Sequence, residues 1–339
     1  MTGYEIVKRT IEFGSPQRMP RNTPLFGGPT DFFWIELGVP KFTPRKPGYN
    51  EWGYTSLKTE IKNNGMPDDL PIATWDMLPD YKWPNPFDEA RYAPIAERLK
   101  MPQAEGKYVH LGWFMGLFDQ VYRLHWFEDC MVDFYLEPEK MHFIIGKVAE
   151  FMLAVIDTLA KKFPGHIHGV LLPDDWGGQT STFMSVAMWD DFFGGHYREI
   201  GKRLHDAGMH FWLHTDGRVN DLIPVLIDCG LDCVNLPSPH VVGINEIAER
   251  FAGKLCFVNG IDIQATLVTG TDAEIEEEAR QLCLKWHTPK GGFIPCDCSN
   301  LEPIGANFHA RVVGLNALRK YAYGLPPLSE EEVASFKWK

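Results

Sequence analysis

Short β-rich runs recur from residue 107 onward, each separated from the next by a stretch of helical character. The runs are YVHLGW, HGVLLP, HFWLH, LDCVNL, KLCFVNG and GGFIP. Between them lie segments such as EPEKMHFIIGKVAEFMLAVIDTLAKKF, whose apolar residues fall near helical spacing. TDAEIEEEARQLCLKW opens on Thr271 with Glu274 three residues later, the pattern of a capping box. Strands that alternate with helices imply parallel pairing, because a parallel pair needs a crossover and the crossover is right-handed. Six such units predict an α/β fold, a (β/α)8 barrel with two further strands hidden in less regular sequence. A doubly wound sheet competes with it, but no GxGxxG turn follows an early strand.

Residues 1–105 read differently. RMPRNTPLFGGPTDFF, PKFTPRKPGYNEWGY and MLPDYKWPNPFDEARYAP are rich in proline, glycine and aromatics and show little periodicity. They predict an irregular covering segment of the same domain, followed by a barrel over 106–325 and an acidic C-terminal tail over 326–339. With 45% apolar residues the chain expects a substantial core. Its formal charge of −12 argues against nucleic acid or an anionic membrane as partner. The longest apolar candidate, FMLAVIDTLA, is interrupted by Asp157 and falls short of the roughly 18 residues that span a bilayer. Seven cysteines, odd in number and mostly inside apolar runs, fit reduced thiols and a cytoplasmic location.

Catalytic groups of a (β/α)8 barrel stand at the C-terminal strand ends, and here those ends are repeatedly polar. GVLLP runs into Asp174, Asp175 and Trp176; HFWLH ends on His214 and continues to Thr215 and Asp216. LDCVN stops at Asn235, LCFVN at Asn259 and then Asp262, and FIPC at Asp297 and Cys298. Residues two apart in an extended segment point the same way, so His214 and Asp216 can share a pocket, as can Cys296 and Cys298. Imidazole, carboxylate and thiolate together would make a three-ligand zinc set with an open position. The plainer alternative has Asp216 capping the next helix and His214 binding substrate. Asp174 and Asp175 are adjacent, so one can reach the pocket while the other bonds backbone. Trp176 is a candidate wall and Gln179 a candidate partner of the loop carboxylate. His110 reads as a satisfied core histidine and His125 has no assigned role. Arg123 could pair with Glu128 along a helix or clamp a substrate carboxylate.

The same residues carry a family resemblance. GLFDQVYRLHWFEDCMVDFYLEPE, LLPDDWGGQTSTFMS, AGMHFWLHTDGRVNDLIPVLIDCGLDCVNL, FVNGIDIQATL and GGFIPCDCSNLEP follow the order and spacing of the uroporphyrinogen decarboxylase superfamily, over about residues 50–323. That superfamily holds porphyrinogen decarboxylases and corrinoid-linked methyltransferases, and its fold is a (β/α)8 barrel. The N-terminal segment RMPRNTPLFGGPTDFFW does not resemble the arginine-rich segment of the true decarboxylases, although Arg18 and Arg21 remain. In the methyltransferase branch, zinc is held by a histidine, a cysteine two residues later and a distant cysteine. The resemblance places His214, Asp216 and Cys298 on these positions, with the carboxylate of Asp216 where the family has a thiolate.

The resemblance implies, first, a methyltransferase-like enzyme. It would carry out methyl transfer or demethylation, with zinc on His214, Asp216 and Cys298 and a corrinoid supplied by a partner protein. Asp175 would orient or deprotonate a substrate, and Arg123, Trp176, Gln179, Asn235, Asn259 and Asp262 would line the site. The second reading is a metal-independent decarboxylase of a porphyrinogen or other small carboxylate, using Asp175 with Arg123, Arg18 or Arg21. The third is a non-catalytic corrinoid- or ligand-binding barrel. The family also implies a homodimer.

Overall fold

The computed structural model describes residues 1–55, 67 and 69–335. The last four residues of the expected acidic tail lie outside the described residues.

Seven strands form one parallel sheet in sequence order. They are β1 (Phe32–Ile35), β2 (Tyr108–Leu111), β3 (Gly169–Pro173), β4 (His210–His214), β5 (Cys233–Asn235), β6 (Cys256–Asn259) and β7 (Phe293–Pro295). The six expected units are β2 to β7. The strand hidden in irregular sequence is β1, so the N-terminal segment supplies part of the sheet as well as a cover. Among the described residues no eighth strand joins β7 back to β1, and the sheet is a seven-stranded barrel-like wall. Its two edges still meet one interior, because Phe32 of β1 and Ile294 of β7 belong to the same apolar cluster.

That interior is made by every second residue of each strand, as the pleat requires. Phe32, Tyr108, Leu171, Trp212, Cys233, Cys256 and Ile294 fill it. From the N-terminal face Val7 and Ile11 of helix α1 (Gly3–Ile11) close the cluster. A Thr2–Glu5 capping box starts that helix. Trp212 donates its indole N–H to the Tyr108 hydroxyl at 3.1 Å. A Cβ at Gly169 would overlap both groups, so β3 must begin on glycine.

On the outside, helix Pro138–Lys162 buries Met141, Ile144, Ile145, Val148, Met152, Val155, Ile156 and Leu159. Each such side chain contributes about 1.5–3 kcal/mol by leaving water. The expected capping box at Thr271 and Glu274 is present at the start of helix Asp272–Lys285. All seven cysteines are free thiols. Among the described residues no helix is long and apolar enough to cross a membrane.

His110 departs from expectation. It is fully buried, but neither ring nitrogen has a hydrogen-bond partner. Its imidazole lies between Trp34 and Trp212, with ring centroids at 4.6 and 4.5 Å. A core position surrounded by aromatic rings offers no acceptor, so the histidine is packed without being satisfied. Burial pushes its pKa down to about 3 and that of His168 down to about 4.

Both rings are therefore neutral in the folded chain at pH values where the unfolded chain binds protons. Stability is complete above the ordinary histidine value of 6.5 and falls as pH drops through the window toward 4 and then 3. Urea unfolding should show a loss of about 1.4 kcal/mol per pH unit for each of the two histidines. His110→Leu should remove one share of that slope; an unchanged slope would contradict the buried, neutral ring.

Candidate active site

Register decides which strand ends meet. Pro173 of β3 pairs with His214 of β4, and His214 pairs with Asn235 of β5. The loops leaving β3 and β4 then run side by side. The Asp174 N–H donates to the His214 carbonyl at 2.9 Å, the Trp176 N–H to the Thr215 hydroxyl at 3.1 Å, and the Arg218 N–H to the Gly178 carbonyl at 2.8 Å. Gly177 and Gly217 meet backbone to backbone where the loops touch. A Cβ on Gly217 would overlap the Gly177 carbonyl, and Gly217 also holds a positive φ of 81°. Only glycine satisfies both conditions.

This lacing fixes Asp175 beside His214. The Asp216 N–H donates to Asp175 Oδ1 at 2.9 Å, and that oxygen lies 3.8 Å from His214 Nε2. One substrate atom can touch both groups. The other imidazole nitrogen, Nδ1, lies 2.6 Å from Asn235 Oδ1, while Asn235 Nδ2 donates to the Val258 carbonyl at 2.6 Å. Because a carbonyl only accepts, the amide orientation is set by Val258, and the hydrogen-bond network assigns the proton to Nδ1. Nε2 is then the ring nitrogen turned to Asp175. Burial pushes the Asp175 carboxyl up from its ordinary value, while His214 pulls it back. Half of the side chain is exposed, which limits that push.

The neighbouring carboxylate has a different task. Asp174 is buried and accepts from the N–H groups of Leu117, Phe118 and Asp119 and from the Tyr197 hydroxyl. It anchors the start of helix Leu117–Tyr122. Burial pushes its pKa up to about 7, against these donors. The two adjacent aspartates thus part, one to backbone and one to the mouth.

Asp216 lies beyond the strand, in the loop. Its Oδ1 accepts from the Ser238 hydroxyl and the Gly217 N–H, both at 2.8 Å, and its Oδ2 from Gln264 Nε2 at 3.1 Å. Gln179 donates to Gln264 Oε1 at 2.9 Å. The loops after β3, β4, β5 and β6 are therefore stitched together through Asp216. Cys298 sits apart from this network, its thiol 3.9 Å from the Asn300 carbonyl and raised in pKa by burial. Among the described residues no three His, Cys, Asp or Glu side chains gather as a metal ion would need. With the Asp216 oxygens engaged and the Cys298 thiol turned to Asn300, the expected zinc set does not fit as arranged.

Several expected pocket residues face elsewhere. Trp176 is 1% exposed and stacks on Phe118 at 5.1 Å, so it is core. Asn259 is buried, with its amide exchanging hydrogen bonds with the Leu236 backbone, and it clamps β6 to the loop after β5. Asp262 is buried and accepts from the N–H groups of His240, Gln264 and Ala265. Arg123 pairs with Asp119, not Glu128, through Nε at 2.7 Å and Nη2 at 3.0 Å. Arg18 is held by Asp31 at 2.6 and 2.8 Å. Asp31 immediately precedes β1, so this pair lies at the N-terminal face, a strand length of about 13 Å from the mouth.

Sequence reasoning missed Trp113, Gln264 and Ser238. Trp113 follows β2 with φ of 45°, is 63% exposed, and holds its ring 4.9 Å from that of His214. A tryptophan in left-handed backbone is strained, and such strain gathers at functional sites. Trp113 also lines a cavity of about 460 Å³ with Glu36, Phe42, Glu51, Arg91 and Phe114.

A family model described as uroporphyrinogen decarboxylase (URO-D) matches residues 58–295. Among solved structures, a methyltransferase from Methanosarcina mazei aligns with a TM-score of 0.53 and 15% identity, covering 76% of this chain and 73% of that one. A D-psicose 3-epimerase from Clostridium cellulolyticum H10 covers 98% of this chain and 88% of its own, with 11% identity and a TM-score of 0.39. At these identities the first likeness speaks to the fold, and the second is too loose to carry an argument. No curated protein matches the sequence.

Gly217→Ala should cost about 3 kcal/mol, combining the positive φ with overpacking against Gly177. Chemical denaturation checks the loss; an unaffected midpoint would mean that the two loops are not in contact.

Proposed function

Because the chain belongs to the uroporphyrinogen decarboxylase family, we propose that its mouth carries out methyl transfer or demethylation on a small molecule, with His214 and Asp175 as the proton-handling pair. The observation that carries this is the placement of a carboxyl oxygen and an imidazole nitrogen 3.8 Å apart, with the imidazole held from behind by Asn235. A heteroatom that gains a methyl group must lose a proton, and one that gives a methyl group up is left with a lone pair that can take one. Asp175 and His214 are placed for either task. Trp113 flanks one side of the imidazole, with its ring 4.9 Å from that of His214. The methyltransferase likeness is consistent with this chemistry. In this reading the methyl carrier is a corrinoid held by a separate protein, and the chain works as a cytoplasmic homodimer.

The decarboxylase reading is disfavoured by the arginines. Arg123 is neutralised by Asp119, Arg18 by Asp31 at the far face, and Arg21 lies over the Tyr323 ring. None of the three offers the mouth a free cation for a carboxylate-rich pyrrole.

The test is to incubate the protein with reduced cobalamin and a panel of methyl ethers, thioethers and methylated amines, following methylcobalamin by absorbance. Asp175→Asn and His214→Ala should each lower the rate by about 10²–10⁴-fold without loss of fold. Release of carbon dioxide from a porphyrinogen, with no methyl transfer from any donor, would replace this reading with decarboxylation.

Zinc is a second reading, favoured by one feature: metal-binding histidines usually have their other nitrogen held by a fixed acceptor, as Asn235 holds Nδ1. To bind it, Asp216 would have to release Ser238 and Gln264, and Cys298 would have to turn from Asn300. Elemental analysis should then find about one zinc per chain, lost in His214→Ala and Cys298→Ala. Zinc-free wild-type protein, purified without chelator, sets this reading aside.

A further inference from the structure

The cavity beside the proton-handling pair has a composition that selects among methyl compounds. Trp113, Phe114 and Phe42 supply aromatic surface, with Leu37 and Val39 adding aliphatic surface. Among the described residues its one lining cation is Arg91, which gives both terminal nitrogens to Glu51, at 2.8 and 2.6 Å. Glu36, at the end of β1, has no ion-pair or hydrogen-bond partner among the described residues and is exposed. The lining therefore carries one carboxylate beyond those its cation neutralises. Trp113 also touches the His214 ring, which has Asp175 3.8 Å from its Nε2.

An anion brought to this lining would meet Glu36 and, among the described lining residues, no cation free of a carboxylate. A neutral ligand would gain from the aromatic surface but leave Glu36 unused. A cation gains from both, since aromatic faces attract positive charge and a carboxylate nearby adds to that attraction.

We propose that this cavity binds a methylated ammonium compound, a quaternary amine with its N-methyl groups against Trp113 and its charge toward Glu36. The inference rests on the methyl-transfer reading of the site and specifies its donor. In the transfer an electron pair from the acceptor, a thiolate or a reduced corrinoid, forms the new bond to the methyl carbon. The N–C bond breaks with its pair left on nitrogen, and a neutral tertiary amine departs, free to take a proton from the Asp175–His214 pair.

Isothermal titration of the intact protein with choline and with its uncharged isostere, 3,3-dimethylbutan-1-ol, tests the proposal without turnover. Choline should bind about tenfold more tightly. Glu36→Gln and Trp113→Leu should each weaken choline by threefold or more, with Glu36→Gln leaving the alcohol unchanged. Circular dichroism should show both variants folded. Equal binding of the two probes, tighter binding of 3,3-dimethylbutyrate, or no binding of choline would each overturn it. Methyl transfer from a neutral aryl ether without choline preference would sink this inference and leave the methyl-transfer reading standing. Choline binding with no methyl transfer from any donor would do the reverse.

Discussion

The site depends on the contact between the loops that leave β3 and β4. Parallel strands in register deliver Pro173 and His214 to the same level, but a shared level alone does not aim a carboxylate at an imidazole. The aim comes from backbone packed on backbone at Gly177 and Gly217, where neither residue has room for a side chain. With the loops that close, the Asp216 N–H reaches Asp175 and the Thr215 hydroxyl reaches the Trp176 N–H. The first bond turns Asp175 toward His214. The second sets the Trp176 backbone where its ring enters the aromatic core beside Phe118 and Phe193. One close approach therefore places one side chain in the mouth and another in the core.

The strands from β2 to β7 were legible because the pattern that marks them is the pattern that buries them. Alternation and apolar runs are local properties, and each strand shows them. β1 was hidden because FFWI is four residues long and sits among prolines and glycines, where no periodicity can build. Closure to eight strands follows from no local property of the chain, and the described sheet ends at seven.

The polar strand ends were legible as polar and mostly not legible as to purpose. Asn235 and Asn259 look alike, each an asparagine closing a short apolar strand. Asn235 orients an imidazole across one strand, whereas Asn259 spends its whole amide on the Leu236 backbone. The partner decides, and the partner comes from a segment more than twenty residues away. Trp113 and Trp176 divide in the same manner. Both follow a strand, but a left-handed backbone holds Trp113 out over His214, while Trp176 follows its hydrogen-bonded loop inward. A backbone conformation unusual for tryptophan leaves no mark in the sequence.

Charge at the mouth bears on what can enter it. Arg91, which lines the cavity, and Arg123 are each held in a two-pronged grip by a carboxylate from their own surroundings. Such pairing satisfies the planar donor fork and leaves little for a ligand. Among the described residues Glu36, at the cavity, has no cation partner, and Asp175 faces His214 at 3.8 Å. An acidic mouth lined with aromatic rings is unfavourable to a polycarboxylate, because the arginine forks beside it are already filled by carboxylates of the chain itself.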